Sequence, residues 1–224
     1  MPGSPTRTTK RPYRSTRRRQ QAAATRTSTV AAATRLFADR GWSGTAMRDV
    51  AAEAGVSVET VYANFGSKTD LLLVAVDVAV VGDTDPEPLS QRREFAALGS
   101  GTFAERVDAT ARMLTEINQR SWGLRRAVVE GAVSEPLLAA KLRYLEERRR
   151  ANIREGAEMV VGRPVDDDEL DLLWVLLGAE VFQTLTQLGG RSVASYQSWL
   201  GGWLARLLGD GTRDADRGRQ GRRR

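Results

Sequence analysis

Residues 45–68 read TAMRDVAAEAGVSVETVYANFGSK, two short helical runs hinged on one glycine. In the first run Met47, Val50, Ala51 and Ala54 fall on one face. Gly55 ends it, because glycine alone takes left-handed backbone at little cost. Ser57 is positioned to cap the second run, in which Val61 and Phe65 face inward four residues apart. Two short helices joined by a tight turn make a helix-turn-helix, whose second helix presents its first residues to base edges in the major groove. Glu59 lies in that helix, where a cation would be expected.

Outward from this stretch the pattern stays helical. Ahead of it, from Thr27, Val30, Ala33 and Phe37 share a face with Leu36 beside them, and Gly41 stops the helix. The spacing predicts helices at 28–40, 45–54 and 57–64. A fourth begins at Ser67, where S-K-T-D has capping-box spacing with Asp in place of Glu, and runs through LLLVAVDVAVV. GDTDPEPLS, residues 82–90, is a loop. Further helices are expected near 90–98, 102–120, 122–134, 136–161, 166–188 and 192–208, with Pro136 in a first turn, Gly162 and Pro164 as a stop, and Ser192 as a cap. No segment alternates with period two for long enough to be a strand.

Charge is sharply partitioned. Residues 1–26 hold eight Lys or Arg and no acid, the tail from Thr212 carries +4, and the body between sums to −6. Within residues 27–81, Arg35, Arg40, Arg48 and Lys68 stand against Asp39, Asp49, Glu53, Glu59, Asp70 and Asp77. The overall field of that segment therefore gives little help in approaching phosphate, whereas the basic ends supply it. The arm, through Arg11, Arg14, Arg17, Arg18 and Arg19, is a candidate for backbone or minor-groove contact, or else a solubilising tail.

The chain has neither His nor Cys. That removes the commonest general base, the commonest metal ligand and all thiolate chemistry, and no Gly-rich phosphate loop is present, so enzyme chemistry is not expected. The cluster DDDE, 166–169, reads as a helix start with Asp166 and Glu169 at capping-box spacing, in preference to a metal site. No apolar run reaches the ~20 residues that span a bilayer. No cofactor is expected, and the location expected is cytoplasmic, on the nucleoid.

Residues 30–71, VAAATRLFADRGWSGTAMRDVAAEAGVSVETVYANFGSKTDL, resemble the N-terminal domain of the TetR family of bacterial transcriptional repressors. The resemblance rests on Ala33, Leu36, Phe37, Gly41, Trp42, Thr45, Val50, Ala51, Ala54, Gly55, Val56, Ser57, Val61, Tyr62, Phe65, Lys68 and Leu71 at fixed spacing. It implies phosphate contacts from Tyr62 and Lys68, with Thr45 as a helix cap beside the backbone. Arg48, Ser57, Val58, Glu59, Thr60, Ala63 and Asn64 take the variable outward positions. Among these Arg48 suits guanine and Asn64 suits adenine. Ala46 stands where the family usually has Ser or Thr, so one hydroxyl contact is missing. Glu59 is either a favourable acid at a helix start or an acceptor for a cytosine amino group.

The expected architecture is all-α: an N-terminal three-helix helix-turn-helix DNA-binding domain joined to a larger helical ligand-binding and dimerisation domain. The divisions are a disordered basic arm at 1–26, the DNA-binding domain at 27–73, the larger domain at 74–210 and a disordered basic tail at 211–224. The partners implied are an operator in double-stranded DNA, a second copy paired through helices near 166–188 and 192–208, and a small-molecule effector. Apolar breadth between Leu172 and Phe182, and Trp199 and Trp203 beside Gly201 and Gly202, support the pairing. Ligand candidates are Trp122, Tyr144, Glu180 and Gln183, with Glu116, Asn118, Glu130 and Gln187 as further polar interruptions. Glu180 equally suits an Arg across a dimer. The functional reading is a homodimeric, ligand-released repressor on a pseudo-palindrome; the alternative is a protein that coats nucleic acid non-specifically through its basic ends.

Overall fold

The computed structural model describes the backbone of residues 12–220, except 84 and 86, and side chains within 18–209. Ten α-helices make up this part: α1 Pro12–Arg40, α2 Met47–Ala54, α3 Val58–Phe65, α4 Lys68–Val81, α5 Arg93–Ala96, α6 Phe103–Ala132, α7 Pro136–Val161, α8 Asp167–Leu176, α9 Ala179–Gln183 and α10 Val193–Gln220. No strand occurs among the described residues.

Several starts and stops form as the residue chemistry dictates. Ser57 accepts from the Thr60 N–H, Ser67 from the Asp70 N–H, and Asp166 and Glu169 form a reciprocal box at the head of α8. Gly55, at φ +68°, turns the chain between α2 and α3, and its neighbour Val56 donates to the Ala51 carbonyl at 3.0 Å. Helix α2 begins at Met47 with Ala46 outside it. Asp49 accepts from the Ala46 N–H at 3.2 Å, but alanine has no oxygen with which to return the bond.

Four expectations need correction. The basic arm is not disordered throughout: α1 starts at Pro12, well ahead of Thr27. Proline suits a first helical position, Gln20–Ala24 are strong helix formers, and Arg26 is pinned at the base of the segment. Residues 1–11 of the proposed arm, Arg11 included, lie outside the described residues. At the other end α10 continues through the segment expected to be a disordered tail as far as Gln220, residues 221–224 lying outside.

The helices expected at 102–120 and 122–134 are one, α6. The break expected at residue 121 does not form, and the helix runs on through Gly123. That glycine is where α6 meets α1, and a Cβ added there would lie 2.8 Å from that of Ala38. Conversely, the helix expected at 166–188 is broken. Its chain is extended at Gly178 (ψ 146°), and after α9 it closes in a π-helical turn at Thr184–Leu188. The Asn118 amide donates to the Leu177 carbonyl that the break releases, at 3.4 Å.

Two buried clusters organise the molecule. One joins Phe37, Val50, Val61, Phe65 and Leu71 to Leu124, Ala127 and Val128 of α6 and Leu138 of α7. The head thus shares a core with the long helices and does not close on itself at residue 73. The other gathers Phe95, Leu98, Val160, Leu173, Phe182, Tyr196, Leu200 and Leu204 around the rest of α6 and α7. Phe182 meets Tyr196 edge to face with ring centroids 5.0 Å apart.

Candidate functional site

Helix α3 buries Val61 and Phe65 and turns its other face to solvent. Ser57, Glu59, Tyr62, Ala63 and Asn64 are exposed, and Val58 and Thr60 half-buried. Tyr62 is 49% exposed. The Asn64 amide donates to the Thr60 carbonyl at 2.9 Å, and the Ser57 and Thr60 hydroxyls lie 3.1 Å apart. Arg48 lies on the first turn of α2. Its side chain is 82% exposed and only 3.7 Å from Asp49. Glu59 is held below its ordinary value by the amide at its own helix start and then by the Ser57 hydroxyl. Its carboxylate complements the positive helix end, the first of the two roles open to it.

The expected cap Thr45 and the expected phosphate contact Lys68 look different in place. Thr45 is 2% exposed, and its hydroxyl lies 2.9 Å from the Gly41 carbonyl and 3.1 Å from that of Leu36. It ties the α1–α2 turn together and is neither the cap of α2 nor open to a backbone phosphate. Lys68 is half-buried. Its ammonium donates to the Trp42 carbonyl at 2.6 Å and stands 4.1 Å above the indole. Burial lowers its pKa, against the opposing pull of Glu130, and donors beyond the one used on Trp42 remain.

The arm reaches α3 from the side. Arg26 donates to the Asn64 carbonyl at 3.3 Å and lies 4.7 Å over the Phe65 ring. This contact anchors the stem of α1 at the far end of α3, with Arg18 and Arg19 exposed farther along the stem. Arg14 and Arg17 belong to the same helix, though their side chains lie outside the described ones.

Helix α6 grips the head directly. Glu130 accepts from the backbone N–H groups of Trp42 and Ser43, both at 2.9 Å. Arg126 donates to the Ala38 carbonyl at 2.8 Å, at the negative end of α1. The Ser43 hydroxyl and amide, followed by the Trp42 amide and the Arg126 charge, outweigh desolvation and hold the Glu130 carboxyl below its ordinary value. Glu130 is therefore a clamp on the α1–α2 turn, not a ligand group.

A cavity of about 180 Å³ lies between α4, α6, α7 and α8. Its wall is mostly aliphatic, with a polar end at Arg125, Glu146, Arg149 and Asn152. Glu146 pairs with Arg125, accepts from Arg149 at 3.1 Å and from the Trp174 indole at 3.0 Å. Of the residues singled out by sequence, Asn118 lines the cavity. Trp122 packs on the second core cluster with Arg126 beside its ring, and Tyr144 is 54% exposed between Lys141 and Arg148. Gln183 and Gln187 lie off the cavity wall, and Glu116 sits beside Arg120 on the surface. Glu180 stands one bond away, 2.7 Å from Arg125, a pairing within the chain where one across a dimer had been considered.

Across α8 and α10, Leu172, Val175 and Trp203 are exposed beside Leu176, Val181, Trp199 and Leu207. No helix among the described residues is long and apolar enough to cross a membrane.

Comparison with known proteins adds three kinds of finding. Residues 30–75 match the family model of bacterial regulatory proteins, tetR family. No curated protein matches the chain. Among solved structures, a transcriptional regulator from Rhodococcus sp. Rha1 is 20% identical with TM-score 0.60, the match covering 83% of this chain and 96% of that one. A TetR-family member from Streptomyces coelicolor is 21% identical with TM-score 0.57, over 82% and 97%. A Saccharomonospora viridis structure solved in complex with choline is 25% identical with TM-score 0.58, over 80% and 94%.

Proposed function

We propose that this chain, a DNA-binding transcriptional regulator of the TetR family with an N-terminal helix-turn-helix, is a homodimeric repressor released from a pseudo-palindromic operator by a small molecule. The observation that carries the reading is the outward face of α3, capped, exposed and supported from behind by Val61 and Phe65. Arg48, Ser57, Val58, Thr60, Ala63 and Asn64 supply base-edge chemistry, with Glu59 at the start of α3 and Tyr62, Lys68 and the arm residues Arg17, Arg18 and Arg19 on phosphate. Two copies pair through the apolar face of α8 and α10 and set their α3 helices about 34–36 Å apart, one turn of duplex.

Coupling follows α6. Arg125 faces the cavity, while Arg126 and Glu130 on the same helix hold α1 and the α1–α2 turn. A ligand that favours another setting of α6 shifts the head by its differential affinity for the two states. Helix α4, which runs from the head into the larger domain, acts together with this second connection. The choline complex of the Saccharomonospora viridis protein supports a ligand-binding role for this fold in a relative.

Selection of preferred sites from random duplex DNA by the full chain tests the reading. A palindrome with half-sites one helical turn apart is expected; a pool without enrichment identifies a non-specific coating protein instead.

A further inference from the structure

The chemistry of the cavity restricts what it can hold, and the inference rests on its reading as an effector site. Every guanidinium at the polar end already faces a carboxylate. Arg125 has Glu146 and Glu180, Arg149 has Glu146, and Arg148 has Asp77 at 3.2 Å. Both oxygens of Glu146 are in use. An anionic ligand would have to take an Arg from Glu146 and strand a partly buried carboxylate, and a cationic one would have to displace two Arg. Phe95 is the single aromatic side chain of the wall, so the ring cage that holds quaternary ammonium groups is missing.

The remaining polar groups are weakly engaged. Thr110 and Ser121 donate back to carbonyls of their own helix, and Asn118 makes two long contacts of 3.4 Å. The Asn152 side chain makes no hydrogen bond among the described residues, and its amide offers one acceptor and two donors. The volume is close to the roughly 150 Å³ apolar cavity that takes benzene.

We propose that the effector is an uncharged, largely apolar molecule of single-ring or short-chain size, with one hydrogen-bonding group that pairs with Asn152. Choline-like cations and carboxylates are disfavoured by the same closed ionic cluster.

Calorimetric titration of the full-length protein with benzyl alcohol, benzoate, benzyltrimethylammonium and toluene tests it, since these probes share a ring and differ in charge and hydrogen bonding. Benzyl alcohol should bind at least tenfold tighter than either ion. Asn152→Leu should weaken benzyl alcohol about five-fold, the worth of one neutral hydrogen bond, and leave toluene unchanged. Tighter binding of either ion, or an Asn152→Leu protein that binds benzyl alcohol normally, overturns the ligand class while leaving a ligand-responsive regulator intact. Absence of binding by all four probes overturns the effector cavity itself. Site selection on DNA reads the regulator independently of either result.

Discussion

Replacing Glu130 with Ala removes the clamp between α6 and the DNA-binding head. The carboxylate accepts two backbone N–H bonds at 2.9 Å, from Trp42 and Ser43, residues 88 and 87 positions away in the chain. Hydrogen bonds to a charged group contribute roughly 1.5–3 kcal/mol each when buried. Glu130 and Ser43 are exposed while Trp42 is buried, so solvent reduces the pair to a total of about 1–2 kcal/mol. For a chain of this size that is a fall in Tm of about 3–6 °C. The loss should carry a pH signature. The folded carboxyl lies below its ordinary 4.5, so its contribution is complete above that value and disappears as pH falls through the lower folded pKa. Urea or thermal melts of the wild type and Glu130→Ala across pH 3 to 7 should therefore converge toward the acid end. Equal stability at pH 7, within about 0.3 kcal/mol, would refute the clamp. A difference that persists unchanged in acid would assign the effect to lost packing.

Other consequences follow from the same geometry. Gly123→Ala places a methyl 2.8 Å from the Ala38 Cβ, so overpacking should cost about 1–3 kcal/mol in urea melts, and a neutral substitution would remove the close α1–α6 approach. Glu59→Gln should leave the selected DNA sequence unchanged, because the carboxylate serves the start of α3; a shift at one cytosine would show base readout. Deleting residues 1–19 should flatten the slope of log K against log salt by about 0.9 for each phosphate the arm contacts, and an unchanged slope eliminates the arm as a contact.

How far the sequence disclosed all this depended on the range of the interactions. The helix-turn-helix was legible because its parts are local: Gly55, the Ser57 cap, and Val61 and Phe65 at one helical spacing. Thr45 was misread because its family position suggested a cap, whereas its hydroxyl is spent on carbonyls four and nine residues back. The cavity was invisible because its aliphatic wall has the same spacing as any core, and only Asn118 among the polar interruptions falls on it. Glu130 is a polar interruption in α6, but its partners are nearly ninety residues away. The close approach of α1 to α6 at Gly123 is a tertiary contact that no local spacing marks. The break at Gly178 leaves no mark in the sequence, because the apolar periodicity continues across it.

The central claim is that α3 reads base sequence while the basic arm supplies sequence-independent grip. It is tested most directly by the affinity of the full chain for its selected duplex against a scrambled duplex of equal length, at one fixed salt concentration near physiological. A regulator should prefer the selected site by about 10³ or more, and Arg48→Ala with Asn64→Ala should lose most of that preference while the affinity for scrambled DNA stays within about three-fold. A ratio near one for the wild type would contradict the account.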